Sequence, residues 1–143
     1  MIRARHTYDS LVRVLRCLVV AGVLTLPTLA VAAPSPTITV TITARTHLPK
    51  LIVKWPYELR VTGAGGRPLK ALLTMNVLDP FGGVHPVQLG DTTRVISRLP
   101  IVGVFRDFMR WPPDSKGFKL TVRATVRVGT VTRVATYVVQ PGP

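Results

Sequence analysis

Residues 119–140 read KLTVRATVRVGTVTRVATYVVQ, from Lys119 to Gln140, and how they pair decides the fold. Two runs alternate apolar with polar residues, the pattern of a strand with one buried face, and Gly129-Thr130 separates them. Glycine at the first central position of a two-residue loop suits a type II′ hairpin. That turn sets Leu120 opposite Val139, Val122 opposite Tyr137 and Ala124 opposite Ala135, an apolar inner row. The other face carries Lys119, Arg123 and Arg127 opposite Gln140, Thr136 and Thr132. A slip of one residue would bury three cations and expose the apolar row, so the register is strongly specified.

The same alternation recurs upstream. Thr37 to Ala44 places Ile38, Val40, Ile42 and Ala44 on one face and threonines on the other, and Trp55 to Thr62 places Trp55, Tyr57, Leu59 and Val61 together. The turn from Gly63 to Pro68 leads to a strand over Leu69 to Leu78, and the turn from Asp79 to Gly83 leads to a weaker one over Val84 to Leu89. Val104 to Trp111 reads as a strand closed by Pro112-Pro113-Asp114, whereas Asp91 to Pro100 has no clear period. Beyond residue 33 no stretch free of Pro and Gly exceeds the 12 residues Thr37 to Leu48, which excludes long helices. About seven short strands at turn spacings near ten residues predict an all-β fold, an antiparallel Ig-like β-sandwich over residues 37–143.

The first residues have a different composition. Arg3, Arg5, Arg13 and Arg16 precede an apolar run from Cys17 to Leu26, then Pro27 and the small residues Ala30, Ala32 and Ala33. This reads as a helical secretory signal peptide over 1–32, cut after Ala32, followed by a short Pro-rich linker at 33–36. An uncleaved anchor, the one route by which the chain would contact a membrane, is the rival reading. Cys17 to Ala33 spans 17 residues and includes Gly22 and Pro27, short of the roughly 20 apolar residues a span needs. Cleavage removes four arginines and Asp9, and leaves 15 basic against 5 acidic residues with no cysteine. A disulfide framework or cysteine-based zinc site is thereby excluded from the exported product.

The segment beyond the leader resembles the small secreted immunoglobulin-like or fibronectin-type-III-like proteins of high-GC Gram-positive bacteria. Trp55-Pro56-Tyr57-Glu58-Leu59, Gly66-Arg67-Pro68-Leu69, the Trp111-Pro112 corner and Gly129-Thr130-Val131 carry the likeness. It implies a scaffold and supplies no catalytic or ligand residues, since sandwiches of this kind host unrelated activities.

Residues with chemistry are sparse. Ser35, Ser97 and Ser115 lie in neither G-x-S-x-G nor S-x-x-K, and Asp79, Asp91, Asp107 and Asp114 are scattered singly beside turns. His47 and His85, with Met75 and Met109, would be the only material for a copper-type site, and they lack a Cys or an H-x-H partner. Neither a cofactor nor a catalytic constellation is expected. Trp55 shares its face with Tyr57, Leu59 and Val61 and reads as core, while Trp111 reads as the more open of the two.

The positive charge is the one feature that is not generic. Its plain role is to keep a secreted domain soluble and its strand edges unattractive; its sharper role is attraction to anionic wall polymers or lipid headgroups. Lys119, Arg123 and Arg127 recur every fourth residue, steps of about 13.6 Å along a strand, and form a candidate anion-binding stripe extended by Arg60. Nucleic acid is not expected of an exported protein without a basic helix or an aromatic-interleaved groove. The expectation is a secreted or surface-associated, monomeric, non-enzymatic module whose partner is an anionic cell-wall polymer or surface protein. The alternatives are a metal carrier or enzyme using His47 and His85, and a subunit that joins another protein's sheet through the Thr37 to Ala44 edge.

Overall fold

The computed structural model describes residues 36–142, so the signal peptide read over 1–32 and most of the linker lie outside the described residues. Eight strands form two antiparallel sheets: β1 (Thr39–Ala44), β2 (Trp55–Thr62), β3 (Lys70–Leu78), β4 (Val84–Pro86), β5 (Leu99–Val102), β6 (Val104–Met109), β7 (Leu120–Val128) and β8 (Val131–Val139). One sheet has the order β1-β2-β6; the other has the order β4-β3-β7-β8, with β5 also on β3. The first, second and sixth strands thus oppose the third, seventh and eighth, the partition by which Ig-like sandwiches separate strands A, B and E from C, F and G.

The terminal hairpin has the expected register throughout, from Leu120 opposite Val139 to Val128 opposite Val131. Gly129 has φ 57° and Thr130 does not enter the left-handed region, as a type II′ turn requires. β2 spans the residues its alternation predicts, with Trp55, Tyr57, Leu59 and Val61 buried.

The irregular stretch before Pro100 resolves into a split edge. β5 pairs with Lys70 to Leu73 of β3, and β4 pairs with Asn76 to Leu78. Between them the Met75 N–H donates to Ile96 O at 2.9 Å, and Met75 O accepts from Val87 N–H at 3.1 Å. The residues between Val87 and Ile96 leave the sheet as a loop while these two buried residues stay in contact with β3. The strand expected over Val84 to Leu89 therefore ends at Pro86, and a strand not expected begins at Leu99.

Gly103 alone joins β5 in one sheet to β6 in the other. Its φ is 65°, its N–H donates to Leu69 O at 2.9 Å, and its carbonyl accepts from Val61 N–H at 2.7 Å. The chain changes sheets there without leaving either backbone group unpaired.

The core between the sheets centres on Leu59, Val61, Leu73, Met75, Ile96, Val122, Val126 and Val139. Toward one end it turns aromatic, with the Trp55 ring 5.6 Å from Trp111 and 5.8 Å from Tyr137. Trp55 donates its indole N–H to Thr46 O at 3.0 Å. Trp111 is as deeply buried as Trp55, contrary to the sequence reading, because the segment around Leu51 lies against it and Ile52 N–H bonds its carbonyl. It is also not part of β6, which ends at Met109. Among the described residues no helix is long and apolar enough to cross a membrane.

Candidate functional site

Pairing of β3, β7 and β8 builds a broad outer face on the five-stranded sheet. Arg127 stands between Leu72 of β3 and Thr132 of β8; Arg123 stands between Asn76 and Thr136. Thr121, Thr125 and Val134 fill the neighbouring positions, and Lys70 projects from the same side of β3 as Leu72. Lys119 and Arg127 are exposed. Arg123 is half-buried, and its Nε is enclosed without a hydrogen-bond partner, so it lies flatter against its neighbours than a free surface arginine.

Carboxylates are segregated from this face. No strand of the five-stranded sheet carries Asp or Glu, while Lys70, Arg123 and Arg127 project from this face; Arg133, opposite Val126, lies on the other. Glu58 projects from β2 on the other sheet, where it binds Arg60 and, at 2.7 Å, Arg106. These hydrogen bonds, that of Arg60 foremost, hold its carboxyl below the ordinary range. Arg60 therefore does not extend the stripe; it belongs to the opposite sheet and is already paired. Sequence alternation gives a residue's face within its strand and says nothing of which sheet receives the strand. Lys70 was the missed member, legible only as a polar position of its own strand until the β3–β7 register set it near Arg127.

A second feature is a cleft of about 830 Å³ at one end of the sandwich, lined by Phe81, Phe108, Trp111 and Phe118 among others. Phe81 is 81% exposed and meets Phe118 edge-on at 5.6 Å. Its polar rim is largely engaged. Asp91 accepts from Arg110 at 2.8 Å and lies 3.4 Å from Lys54, and the Arg110 bond first of all lowers its pKa. Asp79 accepts from the Phe81 and Gly83 N–H groups and sits 2.9 Å from His85 Nε2, contacts that depress its carboxyl, with the His85 bond the largest. Ser115 donates its hydroxyl to Pro112 O at 2.6 Å, a turn contact. Asp107 lies deeper, receiving the Gly90 N–H at 3.0 Å and the Tyr57 hydroxyl at 3.4 Å; burial, then Asp107, drives the Tyr57 phenol far upward.

The two histidines have separate surroundings. His47 stacks on Tyr137 at 4.2 Å with its Nδ1 2.6 Å from Val138 O, whereas His85 sits with Asp79 on the cleft rim. Among the described residues no group of three His, Cys, Asp or Glu is arranged to hold a metal. Met75 is wholly buried in the core; Met109, largely buried, lines the cleft.

No protein-family model matches the chain, and no curated protein shows significant similarity to it.

Proposed function

We propose that the protein is an exported, non-enzymatic binding module that holds anionic polymers of the cell envelope against the outer face of its five-stranded sheet. The observation that carries this reading is the segregation of charge: Lys70, Arg123 and Arg127 share the outer face, and those strands carry no carboxylate, against Glu58 paired with two arginines on the other sheet. Lys119, Arg123, Arg127 and Lys70 are the contacts, with Arg60 replaced by Lys70. The threonines between them offer hydroxyl donors to phosphate or carboxylate oxygens. A flat strand face suits an extended polymer better than a compact anion. Sites several residues apart exceed the Debye length of about 8 Å at physiological salt, so they act as nearly independent contacts. The leader, read from its sequence, supplies the route to the envelope.

The test compares two double variants of equal net charge. Lys70→Glu/Arg127→Glu changes the proposed face, and Arg94→Glu/Lys116→Glu changes exposed cations off those strands. On immobilised heparin or teichoic acid the first pair should elute at distinctly lower salt than the second. Equal shifts would reduce the charge to a solubility device.

A further inference from the structure

The backbone hydrogen bonds of β8 leave one stretch of edge without a main-chain partner, although β1 lies close to β8 and the Tyr137 hydroxyl donates to Ala44 O at 3.4 Å. A two-residue hairpin makes Val128 and Val131 a hydrogen-bonded pair, so Val131, Arg133, Ala135, Tyr137 and Val139 direct their N–H and C=O groups to β7. Thr132, Val134, Thr136 and Val138 direct theirs away from it. At the far end this edge is closed by the segment after β1: His47 Nδ1 lies 2.6 Å from Val138 O, Gln140 N–H donates to His47 O at 2.8 Å, and Gly142 N–H to Pro49 O at 3.0 Å. Those contacts confirm the parity, since both bonds to His47 come from even-numbered residues. Thr132 to Thr136 pairs with no described strand, and only Thr132 O is engaged, by Arg133 Nη1 at 3.1 Å.

Natural edges are commonly protected by shortness, proline, a bulge or several charges. β8 has nine residues, no proline and an unbroken register, with Arg133 its one charge. The side chains along it are small or β-branched, Thr132, Val134 and Thr136 are exposed, and Val134 is 57% accessible. Arg127 is directly opposite Thr132, and Arg123 directly opposite Thr136. A strand added here would lie about 10 Å from β7, within reach of these guanidiniums for a carboxylate that points toward them. A second copy would bring the same cations together, whereas an acidic segment would meet them.

We propose that the Thr132–Thr136 edge of β8 accepts an extended acidic segment of a partner protein as an additional strand of the five-stranded sheet. Main-chain bonds supply the affinity, and Arg123 and Arg127, on the outer face, select for carboxylates. This occupant is distinct from the polymer assigned to the adjoining face, and it uses backbone groups that a polymer does not require.

The probe is a synthetic ten-residue peptide alternating Glu with Val or Thr, compared with its Glu→Lys counterpart. Amide exchange followed by NMR should show the Thr132, Val134 and Thr136 N–H groups exchanging freely in the protein alone and slowed at least tenfold by the Glu peptide. Val134→Pro removes an outward N–H that β7 does not use, so the ladder persists; it should weaken the peptide at least tenfold while leaving retention on heparin unchanged. Thr136→Pro serves the same purpose if the first variant melts early. Absence of protection at millimolar peptide, equal binding of the Lys peptide, or binding indifferent to both prolines would overturn the proposal, as would protection of the same amides by self-association of the protein alone. Loss of heparin retention with intact peptide binding would count against the polymer reading and leave this one standing.

Discussion

At Gly103 one residue carries the chain between sheets, and two independent requirements fall on it. Its φ of 65° is in the left-handed region, and a Cβ there would come within 2.5 Å of the Pro68 Cβ. Gly129 has a similar φ of 57° with nothing within 4 Å of its would-be Cβ. The pair separates conformational strain from steric overlap. Left-handed backbone costs a side chain about 1–2 kcal/mol, and forcing an atom into a filled position adds about 1–3 kcal/mol. Gly129→Ala should therefore lower stability by about 1 kcal/mol and Gly103→Ala by about 3 kcal/mol, read from urea midpoints at unchanged m value. Equal losses would mean that Pro68 yields freely and that the sheet crossing is not tightly packed.

β7 shows what one strand can and cannot disclose from its sequence. Its inner row, turn and partner register were all legible, because alternation and a two-residue glycine loop over-determine them. The half-burial of Arg123 was not, since it depends on Asn76 and Thr136 from neighbouring strands. That guanidinium keeps a buried Nε without a partner, a cost on folding that an apolar side chain of similar length would not bear. Arg123→Met should raise stability by about 0.5–1 kcal/mol while lowering the salt at which the protein leaves a polyanion column. A destabilised Met variant would assign Arg123 a structural role instead. The strands flanking the loop after Val87 mark the opposite limit. Val87 and Ile96 are isolated apolar residues with no period between them, and only their bonds to Met75 place them in the sheet. Arg60 was misplaced for a related reason: β2 discloses its own faces, and its sheet is chosen by β1 and β6.

Across the molecule, charge sets how stability responds to acid. Glu58, Asp79 and Asp91 each sit in contacts that lower their pKa from usual values of 4.5, 3.8 and 3.8, through Arg60, His85 and Arg110 respectively. A carboxyl depressed by folding stabilises the native state above its unfolded pKa, and that contribution disappears as pH falls through the lower folded value. The loss begins near pH 4.5 and continues below pH 3.8. Protonation of the five carboxylates in residues 33–143 also leaves the 15 cations of that segment uncompensated, so self-repulsion grows over the same interval. Melting temperature should consequently be nearly level from pH 8 to about pH 5 as far as these carboxylates govern it, and should fall steeply below about pH 4. Moderate salt should restore part of the fall by screening repulsion among cations more than it weakens exposed pairs that are already protonated. Asp91→Asn removes one depressed carboxyl, which lies between Arg110 and Lys54, and should flatten the acid limb relative to the parent while lowering the melting temperature at pH 7. An acid limb that salt deepens would contradict the repulsion argument, and one that Asp91→Asn leaves unchanged would show that the Arg110 contact contributes nothing to folding.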